Sequence, residues 1–179
     1  PSIFRDLFDL RVHKKVLSYL SLSPYSKIYM IFSFSIVSLA ESLIFGFFSA
    51  ILFSLIIPYP FGIIQTFGFI LYFCIYTFLL ANIFITVSII SDKLSTLFIS
   101  LFGFIFFMFF GSSLIISLNF YPPTIKSILS LLPLVMCIKS MQSYLFSGFF
   151  NWAFTIIPIL SSFFLLFINS ILIKNKLKQ

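Results

Sequence analysis

Residues 28–57 read IYMIFSFSIVSLAESLIFGFFSAILFSLII, and Glu41 carries the one formal charge among them. A helix rises about 1.5 Å per residue, so crossing about 30 Å of hydrocarbon takes about 20 apolar residues. This stretch is longer than that, and so are the charge-free stretches 94–125 and 140–173. The pattern predicts helices that cross a membrane and not the core of a soluble domain.

Composition and charge exclude several classes of protein. Apolar residues make up 61% of the 179 residues and charged residues 8%, against about a quarter charged in soluble domains. The net charge of +7 comes from basic residues that flank apolar runs, so no nucleic-acid partner is predicted. Cys74 and Cys137 lie in apolar surroundings and His13 is the single histidine, so no metal site is predicted. Because neither a catalytic motif nor a phosphate-binding loop occurs, we expect no catalytic or cofactor site in this chain.

Prolines and polar turns divide the apolar sequence into four predicted transmembrane helices. They are residues 28–57, 62–90, 95–118 and 152–173. Pro58-Tyr59-Pro60 ends the first, and Ser91-Asp92-Lys93 separates the second from the third. The predicted fold class is therefore an all-α, polytopic membrane protein, with residues 1–179 forming a single transmembrane domain.

Residues 124–147 are apolar but contain Lys126, Pro133 and Lys139, and the distribution of basic residues decides how they lie. If this segment does not cross, nine Lys and Arg residues lie on one side of the membrane and two on the other. If it crosses, the split becomes six against three. The positive-inside rule favours the first arrangement. We therefore expect a re-entrant helical hairpin on the outer side, broken at Pro133, with both termini in the cytosol.

Residues 1–24 are predicted to form a helix on the cytosolic membrane surface. Arg11, Lys14 and Lys15 share one face of that helix, and apolar residues cover the other. Ser23-Pro24 ends the helix, because the residue before a proline is driven out of the α region.

Glu41 and a stripe of small residues distinguish the first predicted span. A carboxylate in the middle third of a span is costly, so Glu41 either faces a substrate path or hydrogen-bonds another helix. Small residues recur every four positions beside it, which predicts a face that packs against another helix. The stripe consists of Ser38, Ser42, Gly46, Ala50 and Ser54.

The stretch Lys14–Tyr29, KKVLSYLSLSPYSKIY, resembles the junction at which type 2 ABC exporters, most closely the A subfamily, pass from a cytosolic helix into a span. Leu22-Ser23 matches the Leu-Ser of that family's Met-Gly-Leu-Ser-like turn. The later order is similar too: two long spans, a third span, an outer hairpin with Leu131-Leu132-Pro133, and a Gly148 to Trp152 step into the last span. The resemblance covers residues 11–178 of this chain, which correspond to part of such a domain. The G subfamily has a similar membrane layout.

The resemblance implies a function and its partners. The chain would be the transmembrane domain of an ATP-driven exporter that moves a lipid or another amphipathic molecule. The helix within residues 1–24 would be the coupling helix, and Arg11, Lys14 and Lys15 would contact a nucleotide-binding domain outside this chain. ATP and Mg²⁺ would bind in that domain, and the lipid bilayer and a second transmembrane half-domain would be the other partners. Pro1 at the start of the chain favours a segment of a longer protein.

Two other functions stay open at this point. A multispan membrane scaffold or subunit without a transport role would show the same apolar spans and the same stripe of small residues. An integral-membrane enzyme of lipids is less favoured, because clusters of His and Asp within the spans are missing.

Overall fold

The computed structural model describes residues 8–9, 26–56, 62–113 and 115–176, apart from the side chains of residues 50 and 53–56. Six helices follow one another over the longer ranges, with a 3₁₀ turn, Leu118–Phe120, between the third and the fourth. They are α1 (Lys27–Ile56), α2 (Ile63–Ile90), α3 (Leu94–Phe110), α4 (Pro123–Ser130), α5 (Pro133–Ser147) and α6 (Trp152–Lys176). Strands are absent from these ranges, so the all-helical prediction is confirmed for them.

Three of these helices are long and apolar enough to cross a membrane: the Lys27–Ser49 part of α1, and all of α2 and α6. α4 and α5 would add a fourth if the bent pair were a single crossing. The outward side chains of the long helices are large and apolar; Phe45 of α1 and Phe67 of α2 are 68% and 71% exposed. Water would be a poor solvent for such a surface. The long apolar helices are compatible with an integral membrane protein, in which lipid covers the outward side chains.

α2 lies at the centre of the helix bundle. It packs against α1, α5 and α6, and α6 also contacts α1 and α5. Ile31, Ile89 and Ile173 are buried in one cluster, so the start of α1, the end of α2 and the end of α6 meet at one end of the bundle. The order of the helices then places the end of α1, the start of α2, α5 and the start of α6 towards the opposite end.

Basic residues collect at the end where Ile31, Ile89 and Ile173 meet, which we call the lysine end. They are Lys27, Lys93, Lys174 and Lys176. Lys176 Nζ lies 2.9 Å from the Asp92 carboxylate and so joins the end of α6 to the turn between α2 and α3. We call the opposite end, which holds α5, the hairpin end.

α3 is shorter than the third span that the sequence predicts. The prediction placed a helix over residues 95–118, whereas α3 ends at Phe110 with the Gly111 N–H donating to the Phe107 carbonyl oxygen. Ser113 follows with a φ of +68°, in the left-handed region that a right-handed helix does not contain. The apolar composition of residues 111–118 therefore did not mark the end of the helix.

α4 and α5 meet at an angle of 90° across the two-residue break at Leu131 and Leu132. Pro133 stands in the first turn of α5, where its missing N–H leaves no hydrogen bond unmade. α5 runs antiparallel to α2, because Cys137 Sγ lies 3.7 Å from the Tyr72 carbonyl oxygen while Gln65 Nε2 donates to the Leu145 carbonyl oxygen at 3.3 Å. α4 is therefore nearly perpendicular to α2.

The contact between α2 and α5 depends on the absence of a side chain at Gly68. A Cβ there would lie 1.9 Å from the Tyr144 ring, whose hydroxyl donates to the Ile64 carbonyl oxygen at 3.2 Å. We expect Gly68→Ala to displace that ring and to lower the thermal unfolding temperature in detergent. Gly103→Ala on α3 is the matched control, because a Cβ there meets nothing within 4 Å and alanine is favoured over glycine in a helix by about 1 kcal/mol. Equal unfolding temperatures for the two variants would contradict the packing.

Candidate functional site

Asn82 on α2 forms the centre of a polar cluster that joins three helices, which we call the asparagine cluster. The Asn169 side-chain amide on α6 donates to the Asn82 carbonyl oxygen at 2.9 Å, and Thr86 Oγ1 lies 2.7 Å from Asn169 Oδ1. From α1, Ser35 Oγ lies 3.2 Å from Asn82 Oδ1. Ser35, Asn82 and Asn169 have no exposed surface. One cluster therefore connects α1, α2 and α6 inside the apolar bundle.

The amides of the asparagine cluster are engaged on both their donor and acceptor sides. Asn82 Nδ2 donates to the Phe78 carbonyl oxygen at 2.9 Å, and its Oδ1 shares the Ser35 hydroxyl proton with the Ile31 carbonyl oxygen, which lies 3.0 Å from Ser35 Oγ. The single Thr86 hydroxyl proton is shared between Asn169 Oδ1 and the Asn82 carbonyl oxygen, 2.8 Å away. Buried amides paired in this way hold helices together.

A second buried cluster, which we call the hydroxyl cluster, lies nearer the hairpin end. Tyr72 Oη lies 2.9 Å from Thr155 Oγ1 and 2.8 Å from Ser140 Oγ, and Ser140 Oγ lies 3.1 Å from Thr155 Oγ1. The three hydroxyls come from α2, α5 and α6. Thr155 Oγ1 also lies 2.8 Å from the Asn151 carbonyl oxygen, so the three hydroxyls belong to one hydrogen-bonded network that joins α2, α5 and α6.

An apolar groove of about 330 Å³ lies between α2 and α5 and opens to the outside of the bundle. Its polar lining atoms point elsewhere: Tyr76 Oη lies 3.5 Å from Met108 Sδ, and Cys137 Sγ lies against the Tyr72 carbonyl oxygen. The groove is lined by Phe69, Phe73, Tyr76, Cys137, Ile138 and Met141. A groove of this chemistry accepts an aliphatic chain better than a polar molecule.

The structure places the intramembrane residues predicted from sequence along α1. Glu41 is half-buried at the middle of the helix, and Ser38, Ser42 and Gly46 are half-buried as well. Gly46 faces α2, because a Cβ there would lie 2.8 Å from the Phe73 ring. The side chains of Ala50 and Ser54 lie outside the described residues.

The residues predicted to contact a nucleotide-binding domain are not among those that the structure describes. Arg11, Lys14 and Lys15 lie outside the described residues, as does nearly all of the predicted helix within residues 1–24. Phe8 lies within them and is buried against Leu97 at the start of α3. Among the described residues, no group of three or more His, Cys, Asp and Glu side chains is placed to hold a metal ion.

Sequence reasoning passed over Asn82 and Asn169, the two residues on which the polar contacts of the bundle depend. Each is an amide in a charge-free apolar run, which is the signal that could have identified them. The sequence cannot say that the two amides face one another, because that requires the rotation and the depth of both helices.

Comparison of the chain with protein-family models, curated proteins and solved structures gives no match.

Replacing Asn169 with leucine tests the asparagine cluster. Asn169→Leu keeps the branched shape and the number of side-chain heavy atoms but removes the amide that donates to Asn82 and accepts from Thr86. Interhelical hydrogen bonds in membranes contribute about 0.6 to 2 kcal/mol each, so we expect a loss of about 1 to 3 kcal/mol in the free energy of unfolding in detergent.

Asn175→Leu is the matched control, because Asn175 is an exposed amide on the same helix. We expect its unfolding free energy to stay within about 0.5 kcal/mol of the original, as for most exposed substitutions. If Asn169→Leu were no less stable than Asn175→Leu, the amide contacts would not hold α2 to α6.

Proposed function

We propose that the chain is the transmembrane domain of an ATP-driven exporter of the type 2 ABC architecture, moving a lipid or another amphipathic molecule. The observation that carries the proposal is the bent pair α4–α5, which follows a short third helix, packs against α2 and α6 through α5, and precedes the last long helix. A helical hairpin at this place in the helix order is one of the features by which the sequence resembles that architecture. The apolar groove between α2 and α5 adds support, because it suits an aliphatic chain.

The proposal includes a topology. α1, α2 and α6 cross the membrane, α3 enters it from the cytosolic side and ends near the middle of the length of α2, α4–α5 is a re-entrant hairpin on the outer side, and both termini are cytosolic. Support comes from the lysine end, where the start of α1 and the ends of α2 and α6 bring four lysines together, whereas Lys126 lies on α4 in the hairpin. The positive-inside rule makes the lysine end cytosolic.

The energy source lies outside this chain in this proposal. A nucleotide-binding domain, with its ATP and Mg²⁺, would contact the helix within residues 1–24 through Arg11, Lys14 and Lys15, and a second transmembrane half-domain would complete the transporter. The alternative is a multispan scaffold or subunit that moves nothing. The two buried polar clusters are consistent with either role, since both roles require a bundle that does not come apart.

The basic coupling face gives the first test. We expect the tagged protein, isolated from its own membrane, to show vanadate-sensitive ATP hydrolysis, and the triple variant Arg11→Ala, Lys14→Ala, Lys15→Ala to lose most of it. The control, Lys93→Ala with Lys174→Ala, also removes charge from the cytosolic side and is expected to retain activity. Absence of ATPase activity with the unsubstituted protein would favour the scaffold.

Glu41 gives a second test, which concerns transport itself. Glu41→Gln keeps the shape of the side chain and removes its charge in the middle of α1. We expect an equal amount of protein in the membrane and ATP-dependent transfer of a fluorescent phospholipid between leaflets that is slower by about fivefold or more, corresponding to about 1 kcal/mol. Transfer at the original rate would remove Glu41 from the mechanism.

A further inference from the structure

We propose that water from the hairpin side of the membrane enters a recess that reaches α4, near the middle of the length of α2. We call this the α4 recess, and it is lined by the exposed polar residues Ser117, Asn119, Thr124, Lys126 and Ser127. The inference rests on the depth of these residues relative to α2 and does not depend on the proposed transport function.

Contacts with α2 fix the depth at which α3 ends. Tyr76 Oη lies 3.5 Å from Met108 Sδ, two residues before the end of α3. Tyr76 is thirteen residues from Ile63 and fourteen from Ile90. At about 1.5 Å per residue, α3 therefore ends about 20 Å from either end of α2.

The chain stays near this depth through α4. Tyr121 Oη donates to the Phe110 carbonyl oxygen at 2.6 Å, so the chain two residues before α4 lies close to the last residue of α3. After α4, the chain enters α5 at Pro133. This first residue of α5 lies farther from the hairpin end than the contact between Cys137 and Tyr72. Because α4 is perpendicular to α5, it does not climb towards the hairpin end between these two points.

Side chains at this depth require water. Lys126 Nζ donates to Asn119 Oδ1 at 2.8 Å, and both residues are exposed, as are Thr124 and Ser127. The backbone before α4 is irregular and includes a 3₁₀ turn. Irregular backbone and a charged side chain are tolerated at membrane depth only where they face protein or line water.

The exposed side chains in the first turns of α2 require lipid rather than water, although these turns lie nearer the hairpin end than α4 does. Ile63 and Ile64 are each 79% exposed and Phe67 is 71% exposed. A membrane that simply ended at α4 would leave these side chains in water. Both requirements are met when lipid covers the start of α2 while water penetrates locally beside α4.

Cysteine accessibility tests the recess. In a Cys74→Ala, Cys137→Ala background, single cysteines are labelled in sealed vesicles with a membrane-impermeant maleimide added on the hairpin side, since thiolates form in water and not in lipid. We expect Ser127→Cys to react at a rate within about tenfold of Phe149→Cys, an exposed position in the loop before α6. Each variant is checked for expression and for a monodisperse peak in detergent.

Two controls of matched exposure decide between the recess and a displaced membrane boundary. Phe109→Cys lies on α3 at the depth of α4, and Phe67→Cys lies on α2 nearer the hairpin end. Because lipid covers both positions, we expect each to react at least about tenfold more slowly than Ser127→Cys. Fast labelling of Phe67→Cys would show that the membrane ends at α4 and would overturn the recess. Slow labelling of Ser127→Cys beside fast labelling of Phe149→Cys would overturn it as well, because lipid or protein would then cover α4.

Discussion

The hydrogen bonds around Asn82 are the interaction on which the arrangement of the long helices depends. Lipid tails are as apolar as leucine, so helices in a bilayer gain little from hiding their apolar faces from one another. Directional bonds and close packing must therefore hold them. Asn82 receives a bond from α6 through Asn169 and another from α1 through Ser35, so one residue of α2 fixes the rotation of all three helices.

The hydroxyl cluster extends this order towards the hairpin end. Tyr72 lies ten residues before Asn82 on α2, about 15 Å away along the helix axis, and binds Ser140 of α5 and Thr155 of α6. α2 and α6 are thus joined at two depths, and two joints prevent one helix from rotating about the other. α5 is attached at the joint nearer the hairpin end, which places the apolar groove in the half of the bundle nearer that end.

Hydropathy was sufficient to predict the helices, because a run of apolar residues without charges has few other folds available. The all-helical class follows from that alone. The end of α3 was not predicted, because the backbone leaves the helical conformation at Ser113 within a stretch that carries no charge. For the site, a four-residue spacing was enough to propose a packing face on α1 that includes Gly46. The pairing of Asn82 with Asn169 could not be predicted from the sequence. These residues are 87 positions apart, and their contact requires that their two helices place them at the same depth and facing one another.

The distribution of these contacts also determines which parts of the bundle are able to move. α2, α5 and α6 each pack against the other two and share the hydroxyl cluster, so we expect them to move together as one unit. α3 contacts the described bundle only through α2, by aromatic side chains such as the edge-to-face pair of Phe84 and Phe104 with ring centres 5.0 Å apart. Beyond Gly46, the described side chains of α1 are exposed. A conformational cycle in this bundle would therefore shift α3, and the half of α1 nearer the hairpin end, against the α2–α5–α6 unit. The apolar groove would keep its shape while its surroundings change, because both of its walls, α2 and α5, belong to that unit.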